Sequence, residues 1–233
     1  MVARGRAALL GLRAATILPA ILDFRHLAID GPPSVGKTAL ADRLGTRLDA
    51  AVVLDEGENP FLADAYAGRA GAAFQAQLFA LLARHRQQAT LRQGDLFSQV
   101  TVADYLFDKD KVYAYLSLDD NELFIYQRLY DLLSRDVPPP DLVVYLQAPP
   151  DVVWKRLKQR ARQDPTVLVP RESYLRDLTD AFNHFYFHYE ATPLLVVETS
   201  HVDPAWPDVA VEELLRQVHS ITGGTRYYVP REA

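Results

Sequence analysis

The chain contains no cysteine and a single methionine in 233 residues. That absence excludes a disulfide framework, a thiolate metal site and a cysteine nucleophile, and it agrees with a reducing, cytoplasmic setting. Cationic charge is scarce as well: 25 Lys and Arg stand against 30 Asp and Glu, for a formal net charge of −5. A surface of that sign does not coat nucleic acid, so a polyanion bound here has to be held by a local cationic pocket. Long apolar runs are also missing. Residues 7–22 follow Arg4 and Arg6 as a secretory signal would, but Arg13 divides the stretch into pieces too short to span a bilayer. Residues 1–24 are expected to form an N-terminal extension, with one soluble domain over 25–233 and no transmembrane segment. The 49% hydrophobic and 24% charged residues suffice for a full core.

The informative feature lies at Gly31-Pro32-Pro33-Ser34-Val35-Gly36-Lys37-Thr38, preceded by the apolar Leu27-Ala28-Ile29 and followed by a helical pattern. A Gly-x-x-x-x-Gly-Lys-Thr loop between a buried strand and a helix N-terminus wraps backbone N–H groups around phosphate oxygens. Lys37 adds charge at the β- and γ-phosphates, and the Thr38 hydroxyl can reach Mg²⁺. Gly31, Ser34, Val35, Gly36, Lys37 and Thr38 are thus the expected nucleotide-binding residues, joined by Arg156 further along the chain.

Apolar runs of strand length at 27–30, 51–55, 99–104, 142–146 and 194–198 alternate with helical patterns at 37–48, 72–91, 121–133, 150–160, 174–189 and 209–221. Such alternation predicts an α/β fold with a five-stranded parallel sheet covered by helices on both faces. Gly223-Gly224 is read as the end of the last helix. In open parallel sheets, ligands collect beyond the carboxyl ends of the strands. Three acidic groups end strands there: Asp30, Asp55-Glu56 and Asp104. Glu56 is the expected proton acceptor, and Asp104 a ligand for the metal or the substrate.

Arg156 and Arg160 stand four apart on one helical face, and Arg162 runs into a polar loop, so 160–170 reads as a lid whose guanidinium groups steady a transferring phosphoryl group. Gln75 shares a helical stripe with Phe79 and Leu82, and a glutamine on a partly buried face could pair with a nucleobase edge. Tyr66 and Tyr113 could border the same pocket. His184 and His188 lack the neighbouring Glu of a His-Glu-x-x-His zinc site and lie in an aromatic stripe, which favours core packing.

Taken together, these stretches resemble the deoxyribonucleoside kinases, in particular the bacterial branch, over residues 26–228. The pieces that carry the resemblance are residues 29–38, Glu58-Asn59-Pro60-Phe61-Leu62, residues 73–77, residues 103–110, residues 140–146 and residues 156–162. The resemblance implies a P-loop kinase fold of three layers, ATP and Mg²⁺ as requirements, transfer to the 5′-hydroxyl of a deoxynucleoside in nucleotide salvage, and a homodimer packed through helices. It implies the general base for Glu56, phosphate and magnesium roles for Lys37 and Thr38, base reading for Gln75, a sugar contact for Tyr66, and lid roles for Arg160 and Arg162. Family analogy tilts the base preference toward purines. Two departures stand out. Asp104 is followed by Tyr105 where many members carry Arg, which leaves one cation missing or supplied elsewhere, and Pro165 stands where the lid often has Glu. Two other readings remain at this level: a nucleoside monophosphate kinase, and a nucleotide-binding subunit without turnover in a larger complex.

Overall fold

A computed structural model of the chain describes residues 24–55, 58–91 and 100–230. Six parallel strands form one sheet in the order β2-β3-β1-β4-β5-β6: β1 (His26–Asp30), β2 (Ala51–Val53), β3 (Thr101–Ala103), β4 (Leu142–Gln147), β5 (Leu194–Glu198) and β6 (Thr225–Tyr228). Central strands read as unbroken apolar runs because both of their faces are covered. Leu27, Ile29, Val143, Val144, Leu146 and Leu195 are all fully buried. Each such side chain contributes roughly 1.5–3 kcal/mol on leaving water.

The sheet has six strands where five were expected. Thr225-Arg226-Tyr227-Tyr228 pairs with β5 as an edge strand and is largely exposed, so it lacks the apolar run that marks a buried strand. The last helix, α8 (Asp208–His219), closes at Ser220, and Gly224 at φ 67° turns the chain into β6 instead of ending the helix. Strands β2 and β3 are also shorter than their apolar runs. Beyond Val53 the Asp55 N–H donates to the Asp104 carboxylate at 2.6 Å, so a side chain takes the place of a ladder partner.

Helices α1 (Lys37–Leu48), α3 (Ala72–Leu91), α5 (Asp120–Leu133), α6 (Pro150–Gln163) and α7 (Glu172–Phe187) fall where the helical patterns lie. Asp119 starts α5 through a capping box with Glu122. Two helices escape the periodicity, α2 (Leu62–Tyr66) and α4 (Lys109–Ser117), because five and nine residues give too few turns for a stripe to show. Leu81, Phe107, Ala114, Tyr126 and Tyr130 form a second apolar cluster that joins α3, α4 and α5 away from the sheet. His184 and His188 sit near the end of α7 with rings 4.5 Å apart, and the His188 Nδ1 lies 2.9 Å from the His184 carbonyl.

Candidate active site

The phosphate loop leaves the carboxyl end of β1 and enters α1 through backbone that only glycine tolerates. Gly31 has φ 148°, and a Cβ there would lie 2.4 Å from the Leu146 carbonyl oxygen. At Gly36, φ 97°, a Cβ would lie 2.8 Å from both the Pro204 carbonyl oxygen and the Trp206 indole nitrogen. The indole N–H donates to the Gly36 carbonyl at 3.1 Å, so Trp206, fully buried, braces the loop. Ser34 is held at φ 59°, and its hydroxyl is buried with no hydrogen-bond partner among the described residues. No side chain caps α1. An unpartnered hydroxyl and an uncapped helix start in one cradle suit an anion.

Lys37 folds back over this cradle and donates to the carbonyls of Gly31 (2.9 Å) and Pro32 (2.8 Å). Burial, and then the charge of Lys109, lower its pKa to about 8. The Thr38 hydroxyl donates to Asp104 Oδ2 at 2.6 Å, while Asp104 Oδ1 accepts the Asp55 N–H. Asp30, at the end of β1, is wholly buried and accepts from the Tyr186 hydroxyl at 2.5 Å; burial raises its pKa against the pull of Lys109 and Lys37.

Beside the loop lies a charge network that sequence reading missed. Arg84 on α3 bonds both oxygens of Asp55 at 2.8 and 2.9 Å and also reaches Asp110, and Lys109 meets Asp55 at 2.5 Å. Burial alone would raise the Asp55 pKa, but Lys109 and Arg84 outweigh it and hold the carboxyl well below the usual range. Tyr105 is buried beneath the two cations, its ring centre 5.2 Å from the Lys109 ammonium and 5.9 Å from the Arg84 guanidinium. The signal for this network was the Asp-Lys-Asp run at 108–110 and Arg84 two turns after Gln77, both too common in helices to single out.

Asp55 and Arg84 form one wall of a pocket of about 190 Å³, together with Asn59, Tyr66, Gln77 and Tyr113. It shares Tyr66, Gln77 and Tyr113 with a wider cleft of about 640 Å³, where Tyr66 packs on Tyr174 at 5.8 Å. Tyr113 meets Phe182 edge-on at 5.7 Å. The structure brings Tyr66 and Tyr113 together here and leaves Gln75 out. Phe79, 37% exposed, lies at the edge of the pocket and meets Phe61, whereas Leu82, 56% exposed, and Gln75 face outward, so only one end of the stripe that pointed to Gln75 reaches the site. Gln77, 8% exposed, is the glutamine that lines the pocket. Glu56 lies outside the described residues.

A second cleft, of about 720 Å³, lies between the phosphate loop and α6. Arg156 lines it with its guanidinium engaged by the carbonyls of Thr199 (2.7 Å), Ser200 (3.3 Å) and Val202 (2.7 Å), which fastens the loop after β5. Arg160 stands exposed on its rim. Helix α6 continues to Gln163 instead of stopping at 160, so Arg162 is helical and lies on the opposite face beside Trp154 and Lys158. Two residues along a helix turn a side chain by roughly 200°, and this separates the two arginines.

Known proteins resemble this chain in sequence and in fold. A family model described as deoxynucleoside kinase matches residues 27–222. Deoxyguanosine kinase of Bacillus subtilis is 30% identical over 158 residues, 65% of this chain and 73% of its own. Deoxyadenosine kinase of Dictyostelium discoideum is 32% identical over 168 residues, 70% of this chain and 67% of its own. Among solved structures, deoxyadenosine kinase from M. mycoides with the products dCMP and a flexible dCDP superposes with a TM-score of 0.68 at 21% identity, covering 84% of this chain and 100% of that one. The same enzyme with bound dATP gives 0.67 at 20% identity with the same coverage.

Proposed function

Since the chain belongs to the deoxynucleoside kinase family, we propose that it transfers the γ-phosphoryl group of ATP to the 5′-hydroxyl of a deoxynucleoside, with a purine preferred. The observation that carries this reading is the link between two clefts. Asp55 walls one cleft with Gln77 and Arg84 and Lys37 borders the other with Arg160, and Asp104 links the two sides by accepting from the Thr38 hydroxyl and the Asp55 N–H. A nucleoside in the first and ATP in the second would present hydroxyl and phosphorus to one point. The names of the relatives, which are deoxyguanosine and deoxyadenosine kinases, support the purine.

In this reading the loop N–H groups, the Ser34 hydroxyl and Lys37 hold the phosphates, and Arg160 steadies the group in transit. Arg156 acts through the loop that it fastens. Thr38 and Asp104, paired at 2.6 Å, offer the hard oxygen donors that suit Mg²⁺ and would hold it. The ion supplies charge neutralisation at the phosphate oxygens. Glu56 accepts the 5′-hydroxyl proton. Its neighbour Asp55, pinned by two cations, is a weaker base. Gln77 and Tyr66 face the nucleoside. The protein works in the cytoplasm as a homodimer, and the exposed Phe124, Ile125 and Leu132 of α5 supply an apolar face for that contact.

A labelled-ATP assay against the four natural deoxynucleosides and their monophosphates tests the reading. Phosphorylation of a nucleoside is expected, and turnover of monophosphates alone would refute it. In the same assay Glu56→Gln should cut kcat by roughly a hundredfold or more with ATP binding retained, as expected for loss of a positioned base. If Asp55→Asn rather than Glu56→Gln gives that pattern, the base is Asp55.

A further inference from the structure

Lys109 occupies a position that three physical terms oppose. It is 3% exposed, and taking an ammonium out of water costs several kcal/mol even after relaxation. It is the first residue of α4, where the positive end of the helix dipole disfavours a cation, and no side chain caps that end. It also repels Lys37 across the site. Against these stand, among the described residues, its bond to Asp55, the ring face of Tyr105 and the attraction of buried Asp30.

The position of Asp55 does not depend on Lys109 alone, because Arg84 bonds both Asp55 oxygens and also reaches Asp110. Arg84 would still hold Asp55 in place if Lys109 turned away, although one guanidinium would then serve the two carboxylates of Asp55 and Asp110. An anion arriving between Lys37 and Lys109 would relieve the repulsion, the dipole term and the burial term together. A buried cation at a helix start that faces a second cation is the kind of local conflict that gathers at functional positions.

We propose that Lys109 is a second catalytic lysine: with both substrates bound, its ammonium passes from Asp55 to an oxygen of the transferring phosphoryl group, on the side opposite Lys37. This rests on the kinase reading above. During transfer the bond from the 5′-oxygen to the γ-phosphorus forms and the bond from that phosphorus to the ADP oxygen breaks. The hydroxyl proton goes to the carboxylate base, and Lys109 keeps all three of its own. Its contribution is charge placed where negative charge spreads in the transition state.

Lys109→Gln tests this, since the amide can still donate to Asp55 but carries no charge. The kcat should fall by roughly a hundredfold or more, the scale of losing one preorganised donor. The KM of the nucleoside and the Kd of ATP should stay within about threefold, and Lys109→Arg should restore most of the rate. Full turnover in Lys109→Gln would overturn the proposal. So would a loss confined to thermal stability and substrate affinity with kcat intact, which is the mark of a structural pin. Should the glutamine variant fail to fold, Lys109→Met, whose apolar stem fits the Tyr105 face, is read by the same criteria. An inactive wild-type protein would instead refute the kinase reading itself, so the two failures are distinguishable.

Discussion

At the level of single residues, Lys37 carries the clearest consequence. Among the described residues its ammonium bonds to neutral carbonyls, and with a pKa lowered to about 8 it loses its proton within an accessible range. In the ligand-free protein the folded chain holds fewer protons than the unfolded chain between about 8 and the ordinary value of 10.5, so this group makes stability rise with pH across that window. Phosphate favours the charged lysine and reverses the balance. ATP affinity should weaken as pH climbs through about 8, and binding near that pH should take up protons. Calorimetry in buffers of different ionisation enthalpy measures this directly; proton release, or no exchange at all, would show that Lys37 does not meet the nucleotide.

At the level of elements, α3 shows what was legible in the sequence and what was not. The helix itself was readable over its whole length, as were the phosphate loop, α1 and the central strands, because their signals are long and apolar or tied to one turn. Which face of α3 looks inward was not. The burial of Ala76, Gln77, Leu81 and Gln88 is set by α2, α4 and α5, and two of those four residues are polar. Leu82 on the outer face, and Phe79 at the edge of the pocket, made the stripe through Gln75 look like core. Gln77→Ala should therefore raise the nucleoside KM at least tenfold, roughly the effect of leaving a base edge without its partner, whereas Gln75→Ala should leave the kinetics unchanged. Equal effects in both variants would contradict the orientation of the helix. The Asp55, Arg84, Lys109 and Asp110 network was illegible for a related reason, since it joins three segments whose proximity only the tertiary structure supplies.

On the scale of the whole molecule, the distribution of charge matters more than its sum. A chain with net charge −5 places Lys155, Arg156, Lys158, Arg160 and Arg162 on the single helix α6 that borders the phosphate cleft. Phosphate is thereby drawn to one edge of an otherwise acidic particle. The exposed Phe124, Ile125 and Leu132 lie on a different helix, α5. Self-association through α5 would leave both clefts open, and light scattering should report a dimer for the native protein and a monomer for Ile125→Glu with Phe124→Glu. A monomeric native protein would leave that face without its proposed occupant. The brace between Trp206 and Gly36 reaches further still. One of only two indoles in the chain touches the phosphate cradle itself, across 170 positions of sequence. Filling of the cradle should therefore alter the ultraviolet emission of the native polypeptide with no label attached, and Trp206→Phe should remove that signal.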